Sequence, residues 1–323
     1  MNIHLLTEPT ADALAYLRER LSPTIHLTTG EIVPPETVIL VTGRPRREHL
    51  AAAPALTALI IPFAGLPQET RALLRDFPQV SVHNLHHNAP MTAEMAVALM
   101  LAAAKQLLPA DRIFRQNDWT PRYSENTSVV LEGKTVLILG YGAIGRRVGA
   151  VCQALGMRVL ATKRNPVEAL EKEIEIHPPA ALPDLLPQAH VVMICLPDTP
   201  DTTNLLGAAE LALLPPGAIL VNVGRAAVVD QTALYEALRS GHLHSAGLDV
   251  WYRYPADVDS RTSTPPAEVP FNELDNVVMS PHRAGGGGAA EVEQRRMAAL
   301  AESLNGAARG EAIPYRVDLA RGY

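Results

Sequence analysis

The sequence predicts an α/β protein with two doubly wound parallel sheets, and three observations support this class. Over the first ninety residues, short apolar runs alternate with amphipathic ones. A polar segment without a clear period follows at 111–128, and the alternation restarts at Lys134. Because alternation of this kind builds a parallel sheet with helices on its faces, we expect two such lobes joined by the polar segment.

Length and composition agree with this class and narrow the function. The chain has 323 residues, 47% hydrophobic and 19% charged, which is enough for two globular domains. The net charge is −6 without a strongly basic block, so we expect no nucleic-acid partner. The N-terminus lacks the features of a signal peptide, and the longest apolar run, 95–104, is too short to span a bilayer. We therefore predict a cytoplasmic location and no membrane association.

Two cysteines, Cys152 and Cys195, both lie in apolar segments. Two cysteines are too few for a disulfide framework or for a zinc site without other ligands. We interpret them as buried, reduced thiols and predict no metal site.

In the first lobe, apolar runs predict strands and amphipathic runs predict helices. The predicted strands are 2–6, 37–43, 56–63 and 80–84, and the predicted helices are 11–21 and 68–77. A longer helix is predicted over 92–108, ending before Pro109.

In the second lobe, the predicted strands are apolar on both faces, as in a buried parallel sheet. They cover 134–140, 158–162, 190–197, 218–224, 244–251 and 276–282. The predicted helices are 145–155, 208–214, 232–240 and 289–307.

The first strand of the second lobe runs into a glycine motif that opens a helix. The motif is G-x-G-x-x-G, formed by Gly140, Gly142 and Gly145. In this context the first glycine permits a tight turn, the second lets the backbone approach a pyrophosphate, and the third lets helix and strand pack closely. The backbone around Ala143 and Ile144, at the positive end of the helix, would meet the phosphates. The motif predicts dinucleotide binding.

The residues after the next strand indicate which dinucleotide is preferred. The usual acidic residue for the ribose 2′-hydroxyl is missing, and Lys163 and Arg164 follow the strand instead. Basic side chains would pair with a 2′-phosphate, so we predict NADP as the preferred cofactor over NAD. The alternative is that both side chains simply point into solvent.

Five motifs in order then resemble the D-isomer-specific 2-hydroxyacid dehydrogenases. The resemblance is strong over about 125–290 and weaker over the first lobe. The motifs are GYGAIG at 140–145, LPDTPDTTNLL at 196–206, VNVGRAAVVD at 221–230, AGLDV at 246–250 and SPHRAG at 280–285.

The resemblance implies a Rossmann cofactor domain inserted into a flavodoxin-like substrate domain, joined by two crossing helices. The predicted helices 92–108 and 289–307 suit those positions. We accordingly predict a substrate domain from 1–98 and 291–323 and a dinucleotide-binding domain from 99–290. The resemblance also implies a homodimer.

The resemblance further implies the roles of several residues. Arg225 would grip the substrate carboxylate, and His282 would be the catalytic acid and base. Asp249 would bind the nicotinamide carboxamide, and Thr202 and Val223 would line the cofactor.

The first lobe contributes a second set of candidate residues. The resemblance implies that backbone N–H groups of Ala64, Gly65 and Leu66 hold the substrate carboxylate. His86 and His87 follow a strand, and we predict His87 as a substrate contact. Packing or solvent exposure stays open for both histidines, and adjacent side chains on an extended backbone diverge, which disfavours a metal.

One position departs from the family. The glutamate that pairs with the catalytic histidine would lie five residues after Asp249, where this chain has Tyr254. Tyr254 could orient His282 itself, Asp257 or Glu94 could reach the site from elsewhere, or efficient hydride transfer could be lost. Without a carboxylate beside it, His282 should titrate near the ordinary value of about 6.5.

These observations predict an NAD(P)-dependent oxidoreductase that transfers a hydride between nicotinamide and a small 2-keto or 2-hydroxy acid. Reduction of a glyoxylate- or hydroxypyruvate-like substrate is the favoured direction. The alternative is a cofactor-binding sensor or interaction protein with little turnover, which the missing glutamate favours. Oxidation of formate or phosphite is a third hypothesis, but the first lobe shows no matching motif.

Overall fold

The computed structural model describes residues 1–125, 127–164 and 174–322. The chain forms two compact units, one made of 1–88 and 286–323 and the other of 89–285. The second unit therefore interrupts the first along the sequence. Each unit is built on a parallel sheet with helices, and the predicted α/β class with an inserted Rossmann domain is confirmed.

The first unit contains a five-stranded sheet in which every pairing is parallel. Its order is β2-β1-β3-β4-β5, the flavodoxin-like arrangement. The strands are β1 Asn2–Leu5, β2 His26–Thr29, β3 Ile39–Val41, β4 Ala58–Ile61 and β5 Ser81–Asn84.

Helices cover this sheet with two separate apolar clusters. The helices are α1 Ala11–Arg18, α2 Arg47–Ala51 and α3 Gln68–Leu74, with α11 Ala290–Ala308 supplied by the C-terminal part of the chain. Leu17 of α1 and Leu300 of α11 belong to one cluster. Leu50 of α2 and Leu74 of α3 belong to the other. Burial of both clusters stabilises the unit.

The second unit contains a seven-stranded parallel sheet in the order β12-β11-β10-β9-β6-β7-β8. This is the Rossmann order, with the strand sequence reversing direction at β6. The strands are β6 Thr135–Leu139, β7 Arg158–Thr162, β8 Ile174–His177, β9 Val191–Ile194, β10 Ala218–Asn222, β11 Leu243–Leu248 and β12 Val277–Met279.

The helices of the second unit pack on both faces of this sheet. They are α4 Ala89–Ala104, α5 Leu107–Phe114, α6 Thr120–Tyr123, α7 Ala143–Ala154, α8 Leu182–Leu185, α9 Ala208–Ala212 and α10 Gln231–Arg239. The apolar α4 contacts α7, β10 and β11, which is why it groups with this unit. The compact units consequently divide at 88/89 and 285/286, whereas the predicted domains divide at 98/99 and 290/291.

The structure adds the short helices α2, α6 and α8 to the predicted elements, and it differs from them in two further ways. The predicted helix 92–108 stops at Ala104, Gln106 adopts a left-handed φ of 50°, and α5 then begins at Leu107. Pro109 is tolerated because it lies in the first turn of α5, where no intrahelical N–H is required. The strands β2 and β8 were not predicted, since both are short edge strands with few buried side chains.

None of the helices formed by the described residues is, by itself, both long and apolar enough to cross a membrane. The pair α4 and α5 meets the length and composition criteria together, but it is bent by 68°.

Candidate functional site

The candidate site lies at the carboxyl edge of the seven-stranded sheet. All seven strands are parallel, so the segments that follow them emerge at the same edge. The glycine motif follows β6, Arg225 follows β10, Asp249 follows β11 and His282 follows β12. The fold thus gathers residues that are up to about 140 positions apart in sequence, as open α/β sheets do at their ligand sites.

The glycine motif has the geometry that a dinucleotide requires. Gly140 has a φ of +96°, which side-chain-bearing residues rarely adopt, and a Cβ there would also lie 3.0 Å from the carbonyl oxygen of Cys195. A Cβ on Gly145 would collide with the carbonyl oxygen of Gly140. The loop therefore needs both glycines to turn tightly and to let α7 pack against β6.

The residues present fit the phosphates of a dinucleotide. A Cβ on Gly142 would meet no atom within 4 Å, so open space lies over the backbone at that point. Ala143 and Ile144 begin the twelve-residue helix α7, whose first N–H groups carry partial positive charge. Because Gly142 has no side chain, open space remains beside the N-terminal end of α7. This space forms a cradle that fits a pyrophosphate.

The other two predicted cofactor-lining residues lie in segments that border this edge. Thr202 is buried in the loop after β9, where its hydroxyl donates a hydrogen bond of 2.7 Å to the carbonyl of Pro197. Val223 is buried directly after β10, and its N–H donates to the carbonyl of Ile194. Both shape the loops, and their contact with a cofactor stays a prediction.

The basic pair after β7 is not simply solvated. Arg164 donates from Nη2 to Oδ2 of Asp201 at a distance of 3.2 Å, so one of the two side chains is already paired with a residue of another loop. Lys163 continues the pairing of β7 with β8, because its N–H donates to the carbonyl of His177.

Arg225 is placed by a turn that its neighbours stabilise. The side chain of Asn222 donates to the carbonyl of Arg225 and accepts from the N–H of Gly224, at 3.0 Å each. The Arg225 guanidinium donates to the carbonyl of Gly224 at 2.7 Å and is half-buried. A planar, permanently charged group is thereby held at the end of a buried strand, while its contact with a substrate carboxylate stays a prediction.

His282 and Tyr254 are hydrogen-bonded to each other. The phenol oxygen of Tyr254 lies 2.8 Å from Nδ1 of His282 and also accepts the N–H of Trp251 at 3.1 Å. Tyr254, which stands where the family has a glutamate, therefore contacts the histidine directly. Nδ1 is engaged by the phenol, so the predicted proton exchange with a substrate would have to use Nε2.

The other two carboxylates proposed as partners of His282 are used or placed elsewhere. The carboxylate of Asp257 accepts a hydrogen bond of 2.8 Å from the N–H of Ser260 within its own loop. Glu94 is exposed on α4. The charged groups that act on His282 are Asp249 and Arg225.

The carboxylate of Asp249 is fully buried and organises the turn that carries His282. It accepts hydrogen bonds from the Ser280 hydroxyl at 2.5 Å and from the N–H groups of Arg283 and Ala284 at 2.8 and 2.9 Å. His282 itself has a left-handed φ of 56°, which costs energy for a side-chain-bearing residue. The three bonds to Asp249 hold that strained turn, while its predicted contact with nicotinamide stays a prediction.

The pKa of His282 is lowered, which corrects the prediction that it lies near the ordinary value. Partial burial of the ring is the largest cause and disfavours the charged imidazolium; the Arg225 guanidinium lowers the pKa further and the Asp249 carboxylate raises it. Tyr254 contributes no charge that would offset the burial. The pKa therefore lies below the ordinary histidine value rather than near it.

Trp251 was not among the candidate residues, yet it supports the histidine from two directions. Its indole N–H donates to the carbonyl of Ser280 at 2.8 Å, and its backbone N–H donates to Tyr254. The neighbouring Tyr252 stacks on Phe271 and donates to the carbonyl of Val229. The unusual cluster of aromatic residues at 251–254 was the only signal in the sequence for this scaffold.

The predicted substrate contacts outside this edge belong to the first unit. Ala64, Gly65 and Leu66 lie in the loop between β4 and α3, where Gly65 has a φ of +103°. His87 follows β5; burial and the charge of Arg296 lower its pKa to about 4. His87 is therefore neutral near pH 7, and the roles of all four residues in substrate binding stay predictions.

The remaining candidates concern metal and thiol chemistry. Across 1–125, 127–164 and 174–322, no three His, Cys, Asp or Glu side chains are grouped so that they could hold a metal ion. Burial raises the pKa of Cys152 and of Cys195 to about 12, so both thiols are protonated and unreactive near neutral pH.

Known proteins resemble this chain over most of its length. The family model described as D-isomer specific 2-hydroxyacid dehydrogenase, NAD binding domain, matches residues 97–284. D-3-phosphoglycerate dehydrogenase from Mycobacterium leprae is 34% identical over 284 residues, which are 85% of this chain and 49% of that protein. Glyoxylate reductase from Aeropyrum pernix is 37% identical over 233 residues, which are 70% of this chain and 66% of that protein.

A solved structure gives a closer match in length. The D-isomer specific 2-hydroxyacid dehydrogenase from Xanthobacter autotrophicus Py2, in complex with NADPH and MES, is 28% identical with a TM-score of 0.81. The match covers 100% of this chain and 99% of that one. By contrast, the matched part of this chain spans about half the length of the phosphoglycerate dehydrogenases.

Proposed function

Because this chain belongs to the family of D-isomer-specific 2-hydroxyacid dehydrogenases, we propose that it transfers a hydride between a nicotinamide dinucleotide and a small 2-keto or 2-hydroxy acid. The hydrogen bond between Tyr254 and His282 is the observation that carries the proposal. A protein that only sensed the cofactor would have no need for an oriented imidazole beside a half-buried arginine. The pairing therefore favours turnover over the sensor alternative.

The glycine loop and α7 would hold the dinucleotide, which supplies the hydride when bound. We propose NADPH as the preferred form. Lys163 and Arg164 support this preference, since their charges would stabilise a 2′-phosphate and no carboxylate directly follows β7 to repel it. The relative from Xanthobacter autotrophicus Py2, solved with NADPH, is also consistent with it.

His282 would provide the proton in the direction of reduction. In the imidazolium state its Nδ1–H donates to the Tyr254 oxygen, and the proton on Nε2 passes to the carbonyl oxygen as hydride reaches the carbonyl carbon. The product is a 2-hydroxy acid, and His282 is left neutral. In oxidation the same nitrogen would accept the proton from the hydroxyl group.

Arg225 would bind the substrate through its carboxylate and polarise the carbonyl beside it. In the first unit, the N–H groups of Ala64, Gly65 and Leu66 would hold a substrate carboxylate, and His87 would be a substrate contact as a neutral group. A glyoxylate- or hydroxypyruvate-like keto acid is the substrate class we propose, because the groups assigned to it recognise one carboxylate and one carbonyl. The similar glyoxylate reductase of Aeropyrum pernix supports this class.

The test is oxidation of NADPH, followed by its absorbance, against a panel of small 2-keto acids. We expect turnover by the wild type and loss of about a hundredfold or more in His282→Ala and Arg225→Ala. His26→Ala, which alters an exposed histidine on β2, is the matched control and should retain activity. Tight binding of NADPH without turnover of any keto acid would instead support the sensor alternative.

We also propose that the protein assembles as a homodimer through the second unit. Helix α5 buries none of its side chains, and Phe114 and Trp119 are 52% and 57% exposed while contacting each other edge to face. Monomers rarely leave such apolar patches uncovered. Sedimentation should show a dimer that Phe114→Glu dissociates, whereas Leu213→Glu, at an exposed apolar residue elsewhere in the unit, should not. A monomeric wild type would contradict this proposal.

A further inference from the structure

An ion pair connects two loops at the carboxyl edge of the second sheet. Arg164 follows β7, Asp201 lies in the loop after β9, and the two side chains are 3.2 Å apart. Arg164 is the more enclosed partner, with 34% of its side chain exposed against 78% for Asp201. The pair was not anticipated, because the residues are 37 positions apart in sequence.

The order of the strands gives this ion pair its position. β6 lies between β7 and β9 in the sheet, and the glycine motif emerges from the end of β6. An ion pair that joins the loops after β7 and β9 must therefore pass the end of β6, beside the turn that would hold the pyrophosphate. The end of β7 is also where a Rossmann domain recognises the ribose 2′ position.

We propose that Asp201 is a specificity-determining residue that competes with the 2′-phosphate of NADPH for Arg164. The proposal rests on the cofactor site of the proposed function and concerns a residue that lies within the motif at 196–206 but was given no role there. A 2′-phosphate carries more negative charge and more acceptor oxygens than one carboxylate, so it takes Arg164 away from Asp201. NADH has only a hydroxyl group there and leaves the ion pair intact.

Asp201 then acts on the two cofactors unequally. For NADPH, its carboxylate must release the guanidinium and remains near a second anion, which weakens binding. For NADH, neither cost arises. Asp201 accordingly sets how strongly the site prefers the phosphorylated cofactor, while it holds Arg164 in place before a cofactor binds.

The experiment measures dissociation constants for NADPH and NADH by fluorescence titration of the full chain at low ionic strength. Asp201→Asn should tighten NADPH binding by about fivefold, the order expected for loss of an exposed ion pair and its repulsion, and should change NADH binding by less than about twofold. Arg164→Ala should weaken NADPH by about tenfold or more. In the double variant, Asp201→Asn should tighten NADPH binding by less than it does alone, because the guanidinium for which Asp201 and the 2′-phosphate compete is absent.

Asp275→Asn is the matched control. Asp275 forms a similar exposed pair with Arg112, but it precedes β12 and so lies at the opposite edge of the sheet. The control should leave both dissociation constants unchanged, whereas an equal effect would reveal a general response to net charge and overturn the proposal.

The remaining outcomes separate the two proposals. If the wild type binds dinucleotides but Asp201→Asn leaves the ratio of the two constants unchanged, the role of Asp201 is wrong and the proposed function stands. If the wild type binds neither dinucleotide, the proposed function fails, and the role of Asp201 fails with it.

Discussion

The phenol oxygen of Tyr254 lies 2.8 Å from Nδ1 of His282, at the position where the family has a carboxylate. A neutral partner orients the ring but does not stabilise its positive charge, and burial lowers the pKa of His282. Reduction requires the imidazolium, which is populated below that pKa. We therefore predict that kcat/KM for reduction falls about tenfold per pH unit above a pKa that lies below about 6.5.

Replacing Tyr254 tests this relationship directly. Tyr254→Glu should raise the pKa of His282 by about one unit or more and extend reduction to higher pH. Tyr254→Phe keeps the ring but removes the hydrogen bond, so it should lower kcat while leaving the dissociation constant of NADPH unchanged. The measurement is the pH profile of keto-acid reduction by the three proteins. Identical profiles for wild type and Tyr254→Glu would show that the residue at position 254 does not determine the pKa of His282.

The two glycines at the start of α7 should respond to alanine in different ways. In Gly145→Ala, the new methyl group collides with the carbonyl of Gly140, so the loop must shift and the free energy of unfolding should fall by about 1–3 kcal/mol. In Gly142→Ala, the methyl group meets no protein atom and φ is −98°, so folding should be unaffected. The methyl group would instead fill the pyrophosphate cradle and weaken dinucleotide binding by about tenfold or more.

Thermal unfolding and dinucleotide titration of the same two variants separate these effects. A stable Gly142→Ala protein that binds NADPH as tightly as the wild type would contradict the assignment of the cradle.

Trp251 should position the histidine turn through its indole N–H. Trp251→Phe keeps an aromatic ring but removes one of the two donors to the carbonyl of Ser280, the other being the N–H of His282, and this should cost about 1 kcal/mol of unfolding free energy. Because the turn also carries His282, kcat should fall several-fold, while the dissociation constant of NADPH should not change. Trp119→Phe, at the other tryptophan of the chain, keeps an aromatic ring in the proposed dimer surface and serves as the control. Equal kcat values for the two variants would argue that Trp251 has only a packing role.

His87 should make the protein sensitive to acid. Its pKa in the folded state is lowered to about 4 by burial and by Arg296, so the unfolded chain binds a proton more readily between about pH 6.5 and 4. Neutral His87 therefore contributes to the free energy of unfolding in full above about pH 6.5, and this contribution is lost as the pH falls toward 4. The contribution is at most about 3 kcal/mol.

Chemical unfolding of wild type and His87→Gln at about pH 7 and about pH 4.5 measures this term. The variant should lose less stability between the two pH values, while His26→Gln, at an exposed histidine, should behave like the wild type. The same loss in all three proteins would assign the acid sensitivity to other groups, such as His83 and His86, whose pKa values burial also lowers.

Elements with a strong hydrophobic pattern could be predicted from the sequence, and elements with a weak hydrophobic pattern could not. β6 and β10 are buried along their whole length, and both were expected from continuous apolar runs. β2 alternates exposed and half-buried residues at the edge of its sheet, so its pattern resembles that of a loop. The continuous helix over 92–108 was wrong because Leu107 and Leu108 resume the apolar pattern after Gln106, where the backbone is left-handed.

The sequence by itself determined the α/β class, the dinucleotide motif, the candidate residues at the strand ends and the absence of the family glutamate. These features are encoded in local runs and spacings, which can be read without knowing how the strands are ordered. Only the tertiary structure decided which side chains meet: Tyr254 with His282, Asp249 with Ser280, and Arg164 with Asp201, separated by 28, 31 and 37 residues. Such pairs depend on the order of the parallel strands, because that order alone decides which loops become neighbours at the carboxyl edge.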